Sequence, residues 1–199
     1  MSARAPASPR GESLETSVAE VLGRLAEASP APGGGAIAAV VGAMAADLVA
    51  MVARSSLEHW DGAAGATAQA NLLRLRLEPL AHADAEVYQR ALAALEEPGT
   101  ERGRNATLAA ALSQAADVPL AIADAAADVA ALAEHVASLG DASRRADAVA
   151  AAVLAEAAAR VCAHLVAVNL ATTEGDERLR TADAHVRAAA ECSGRALTS

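Results

Sequence analysis

Three stretches of the chain hold groups suited to chemistry. Pro32-Gly33-Gly34-Gly35 precedes a long apolar run, so the three glycines open a buried helix. Unpaired backbone N–H groups and the positive end of the helix dipole can hold an anion, a carboxylate or a polarised carbonyl oxygen there. The same glycines also suit a tight turn that lets a neighbouring helix approach closely, and both readings stand. The second stretch, Gly140 to Asp147, is the most polar segment between two apolar helices. On one continuous helix Asp141 and Asp147 would lie on different faces, so they converge only if Asp141 is in the loop and Asp147 in the helix's first turns. Asp141 reads first as a helix cap and second as an acid–base group. Asp147 is followed by apolar and small residues and is expected to face the bundle interior or its mouth as an acid–base carboxylate, the alternative being a pair with Arg144.

The third stretch is His82-Ala83-Asp84-Ala85-Glu86-Val87-Tyr88. His82 with Glu86, and Asp84 with Tyr88, sit at i,i+4 and can share one side of a helix. A carboxylate beside a phenol or an imidazole transfers protons when burial moves its pKa towards neutrality. The repeated His pairing of a metal motif is missing, so no metal site is expected. His164 lies inside an apolar helix and fits a hydrogen-bonded core imidazole or a proton-transfer group. His135 and His185 read as solvent-facing, and Trp60 as the edge of a pocket next to an interhelical turn.

The elements that must position these groups follow from composition. Of 199 residues, 60 are Ala, all 16 basic residues are Arg, and aromatics amount to one Trp and one Tyr. Ala is the best helix former and Arg among the better ones, whereas a sheet core needs branched and aromatic residues. The expected fold is all-α, a single antiparallel helical bundle. Residues 1–12 read as a disordered tail without the apolar core of a signal peptide, and residues 13–199 as one helical domain. Helices are expected at about Ser13–Ala28, from the glycines to Arg54, at Ala63–Leu95 with a kink or break at Pro79, and at Glu101–Ala116. Three more follow: from near Pro119 to Leu139, Ser143–Leu170 and Glu174–Cys192. A net charge of −9 and scarce aromatics argue against nucleic acid. The run Gly35–Ala53 approaches membrane-spanning length, yet a buried central helix accounts for it, so no membrane partner is expected. Cys162 and Cys192 form neither a metal spacing nor a disulfide scaffold, which suits a cytoplasmic setting.

Several segments resemble the formimidoyltetrahydrofolate cyclodeaminases and the related bacterial methenyltetrahydrofolate cyclohydrolases. They are Ser17 to Leu22, Ser29 to Gly35, Ala38 to Arg54, Asp84-Ala85-Glu86, Asp117 to Leu120, Gly140 to Asp147 and Val168-Asn169-Leu170. The resemblance covers nearly the whole chain after the tail. It implies a helical homodimer with a folate crevice near the glycine turn, and a C–N bond made or broken at a one-carbon bridge by acid–base catalysis. Gly33, Gly34 and Gly35 would line the site, Asp147 would be the acid–base residue, and Asp84 and Asn169 supporting polar contacts. Asp141 as a further catalytic carboxylate, with Tyr88 and His164 on the substrate, completes the candidate set. No cofactor is implied, folate being the substrate. The chain departs from the family pattern at Ala36 (usually Ser), Asp141 (usually Asn), Ala146 (usually Ser or Thr), Leu165 and Ala167 (usually Asn and Arg), and Glu58 to Asp61 (usually lysines). These departures leave two rivals: a repurposed cyclase acting on a non-folate metabolite, and a non-catalytic ligand-binding dimer.

Overall fold

The computed structural model describes residues 33–96, 100–171 and 175–198, with Glu20 and Gly23 as isolated helical positions before them. The chain separates after Pro32, and Gly33–Ser199 is one unit. The expected helix at Ser13–Ala28 and the tail before it otherwise lie outside the described residues. Six α-helices follow: α1 (Gly34–Ser55), α2 (Ala63–Glu96), α3 (Glu101–Ala115), α4 (Asp117–Leu139), α5 (Arg145–Asn169) and α6 (Glu177–Thr198), with a 3-10 turn at Ala142–Arg144. No strand occurs among the described residues.

Ala-rich faces let the helices meet at short range. α1 lies between α2 and α5 with α4 behind it, and Ala39, Ala46, Ala50 and Ala53 are fully or almost fully buried. A side chain at Gly42 would come within 3.2 Å of Leu77, so this glycine sets how closely α1 and α2 approach. Pro79 does not break α2. It sits on the exposed side, where water can satisfy the carbonyl that loses its partner. Pro119 is buried in the first turn of α4, where its missing N–H costs no intrahelical bond. α6 runs on past the expected end at Cys192 to Thr198, because Ser193 and Ala196 in its last turns are buried against the bundle.

Two polar anchors fix the ends. The Ser56 hydroxyl donates to the Val52 carbonyl at 2.8 Å and accepts from the Asp141 amide at 2.8 Å. The C-terminal end of α1 is thereby tied to the Gly140–Asp147 turn. At the start of α6, Arg178 donates to the Ser113 carbonyl (2.7 Å), the Ser113 hydroxyl (2.9 Å), Asp117 (2.7 Å) and Asp176 (2.8 Å). That set clamps α6 onto the α3–α4 junction.

Candidate active site

The N-terminus of α1 has no cap from its own preceding residue: Gly33 contributes no side-chain hydrogen bond and the first turn holds no acid. The cap comes from α2. Asp84 Oδ2 accepts the Ala36 amide N–H at 2.9 Å. The carboxylate reaches that amide because Gly35 has no side chain: a Cβ there would lie 2.2 Å from Asp84 Oδ1. The other two glycines are not forced in this way, since a Cβ would stand 3.9 Å from Asp84 at Gly33 and 3.9 Å from Val161 at Gly34. The expected anion site is therefore corrected in one respect. The protein's own carboxylate takes one first-turn amide, and a carboxylate is the natural partner for the positive helix end.

Asp84 is half-buried, and burial raises its carboxyl above the ordinary aspartate value, partly offset by the Ala36 amide. A carboxyl moved towards neutrality can give and take protons at working pH. Cys162 on α5 is fully buried, and its thiol is pushed up to about 12, first by burial and then by the Asp84 charge, so it stays protonated. Neither the Ala36 amide nor Cys162 stands out in the sequence as a partner of Asp84, because each contact joins helices far apart in the chain.

The Gly140–Asp147 turn lies elsewhere. Val161 on α5 is level with Gly34, and Asp147 is fourteen residues earlier on the same helix, about 21 Å away at 1.5 Å per residue. Within one chain, Asp147 and Asp141 do not meet the glycine turn. Asp141 acts as a cap, its carboxylate accepting from the Ser143 amide at 2.9 Å; the Ser143 hydroxyl first and this amide second hold its carboxyl below the ordinary range. Asp147 stands in the first turn of α5, half-exposed. It forms neither a pair with Arg144 nor any other hydrogen bond among the described residues.

The remaining candidates divide. His82 is exposed and bonds Glu86 at 3.1 Å, as their spacing suggested. Tyr88 is in α2, its side chain outside the described residues. His164 is not a core imidazole: it lies on the exposed side of α5, one turn from Val161. Asn169 ends α5, eight residues past Val161 and half-exposed. His135 is exposed and meets Trp60 edge-on at 5.4 Å, so Trp60 covers α4 at the Ser56 corner. His185, expected in solvent, is instead half-buried 3.5 Å from Asp124. Among the described residues no group of three His, Cys, Asp or Glu side chains is placed to hold a metal ion.

The family model described as formiminotransferase-cyclodeaminase matches residues 17–188. The chain belongs to the formiminotransferase-cyclodeaminase family. The fold agrees. It is similar to the crystal structure of formiminotetrahydrofolate cyclodeaminase from Thermotoga maritima, with 28% identity, a TM-score of 0.83, and coverage of 92% of this chain and 95% of that one. No curated sequence matches the chain.

Family membership accounts for the cyclodeaminase-type bundle. It also gives the departures a physical meaning. Ala36, where the family usually has Ser, uses only its backbone, and that backbone is what Asp84 binds. Leu165 is half-exposed and Ala167 exposed on α5, so neither carries a polar group to the surface beside Val161 and Val168.

Proposed function

We propose that this chain is an enzyme of one-carbon chemistry that closes or opens the one-carbon bridge between two nitrogens of tetrahydrofolate, with Asp84 as its acid–base group. The observation that carries the reading is the Asp84 carboxylate held against the α1 N-terminus at 2.9 Å from the Ala36 amide, with Gly35 clearing its path. In cyclodeamination, the protonated Asp84 carboxyl gives its proton to the imino nitrogen of the formimino group. The second folate nitrogen then attacks the carbon, making the tetrahedral intermediate. The carboxylate takes the proton from that nitrogen and passes it to the amino group, whose C–N bond breaks to release ammonia. In cyclohydrolysis the same carboxylate takes a proton from water as the water oxygen adds to the methenyl carbon, then returns it to the folate nitrogen whose C–N bond breaks to leave a formyl group on the other nitrogen. Burial raises the Asp84 carboxyl above the ordinary aspartate value, which favours its holding a proton. Both free, buried cysteines suit a reducing, cytoplasmic compartment.

A repurposed member acting on a non-folate substrate is favoured by one observation: the chain has no lysine and a net charge of −9, a poor match for polyanionic folate. Formation of the methenyl product from formiminotetrahydrofolate, followed by absorbance with purified protein, separates the two. A rate above the spontaneous one supports the folate reading. No rate and no folate binding by calorimetry overturn it.

A further inference from the structure

Proton transfer at Asp84 requires a substrate held in one pose, and the holding groups stand away from the reacting atoms. On α2, His82 and Glu86 lie two residues to either side of Asp84, about 200° around the helix, and both side chains are mostly exposed. They therefore turn away from it, and Arg90 pairs with Glu86 at 3.3 Å on that far side. α5 offers the other wall. Its Val161 stands 3.9 Å from where a Gly34 side chain would begin, and Arg160 and His164 flank Val161 on the exposed side of the helix.

Arg160 is charged at every working pH and is held in place. Its Nε donates to Glu156 Oε1 at 2.8 Å, and its Nη2 lies 2.6 Å from the same oxygen. Glu156 is the deeper of the pair, its side chain 19% exposed against 58% for Arg160. One carboxylate oxygen thus occupies the Nε edge of the guanidinium. An arginine has five N–H donors in a planar fork, so the end formed by Nη1 and the remaining Nη2 hydrogen is left for another acceptor. No side chain among the described residues takes it. Two parallel N–H groups match the two oxygens of a carboxylate.

We infer that the substrate of this site carries a carboxylate remote from its reacting atoms, and that Arg160, braced by Glu156, receives it. Under the proposed function, on which this assignment rests, the carboxylate belongs to the glutamyl end of tetrahydrofolate. Arg160 is then a specificity residue and Glu156 a positioning residue, and neither takes part in proton transfer. A local bidentate pair holds despite an unfavourable net charge, because its strength comes from contact geometry rather than from the long-range field.

Calorimetry with tetrahydrofolate and its diamide, in which both glutamyl carboxylates are neutral amides, reads this contact without turnover. The unmodified protein is expected to bind tetrahydrofolate about tenfold to a hundredfold more tightly than the diamide. Arg160→Met should bring the two ligands to within about twofold of each other, with helical ellipticity retained, and Arg160→Gln should do the same. Glu156→Gln, which loosens the brace but keeps the arginine, should narrow the gap without closing it. In turnover of formiminotetrahydrofolate, the loss in Arg160→Met should fall mainly on KM. Equal affinity of the unmodified protein for both ligands, or a gap that survives in Arg160→Met and Arg160→Gln, overturns the assignment; with turnover present, the proposed function still stands. A gap that depends on Arg160 in a protein without turnover keeps the carboxylate site and defeats the proposed function. Binding of neither ligand overturns both.

Discussion

Asp84 on α2 caps the first turn of α1 across 48 residues of sequence, its Oδ2 accepting the Ala36 amide at 2.9 Å. A helix that opens with glycine has no side chain of its own to satisfy its first amides. The borrowed carboxylate meets that need and, being half-buried, keeps a raised proton affinity. One contact thus fixes helix geometry and, in the proposed mechanism, holds the acid–base group, and it separates the consequences of substitution at neighbouring positions.

The three glycines are not equivalent. Gly35→Ala forces a Cβ to 2.2 Å from Asp84, so the carboxylate must leave its amide, at a cost of about 1–3 kcal/mol for an overpacked site. Gly33→Ala and Gly34→Ala meet only ordinary contacts at 3.9 Å and should shift stability by less than about 0.5 kcal/mol. Urea unfolding of the three variants checks this order.

Asp84 should leave a mark on the pH dependence of stability. Its folded pKa is raised above the ordinary aspartate value, so its contribution is fully present below that value and is lost as pH rises through the folded one. Asp84→Asn removes this loss while its amide oxygen can still accept from Ala36. The variant should therefore gain on the unmodified protein as pH rises from acid to neutral, as measured by denaturant midpoints.

Asp176 gives the opposite limb. The hydrogen bond from Arg178 lowers its carboxyl to about 2, so the stability it brings is present above 3.8 and is lost as pH falls towards 2. Asp176→Asn should flatten that acid limb. Arg178→Met, which removes the clamp on Ser113, Asp117 and Asp176, should cost about 2 kcal/mol at neutral pH. Acid titration of unfolding reads both.

Cys162 and Cys192 are buried and free, and the Cys162 thiol is pushed up to about 12. Neither should react promptly with a thiol reagent at mildly alkaline pH in the native protein. Both should react at once in guanidinium chloride. Prompt native reaction at Cys162 would show that its burial on α5 is incomplete.

Much of this architecture is legible in the sequence because Ala-rich helices announce themselves by composition and their ends fall close to turn signals, at Gly140, at Glu96 ahead of the Pro98-Gly99 pair in the sequence, and before Asp61-Gly62. Helix ends set by tertiary burial are less legible: the sequence reading stops the last helix near Cys192, but Ser193 and Ala196 pack on the bundle and carry α6 to Thr198. In the site, Gly33–Gly35 and Asp84 are each visible, but their meeting is not, since it depends on α1 and α2 running side by side. Asp147 shows the same difficulty from the other side. Its polar turn and apolar helix are plain in sequence, yet the antiparallel course of α5 beside α1 places it at the far end. His164 reads as core from its apolar neighbours, yet it lies on the exposed side of α5.

The most direct measurement is the rate of methenyl product formation from formiminotetrahydrofolate by the unmodified protein and by Asp84→Asn, side by side across pH. With Asp84 as the acid–base group, the variant should fall by about 10²–10⁴-fold with its helical ellipticity unchanged. The pH limb of the unmodified enzyme, set by a carboxyl raised above 3.8, should vanish in the variant. An Asp84→Asn protein that keeps the unmodified rate and the same pH limb would contradict the assignment.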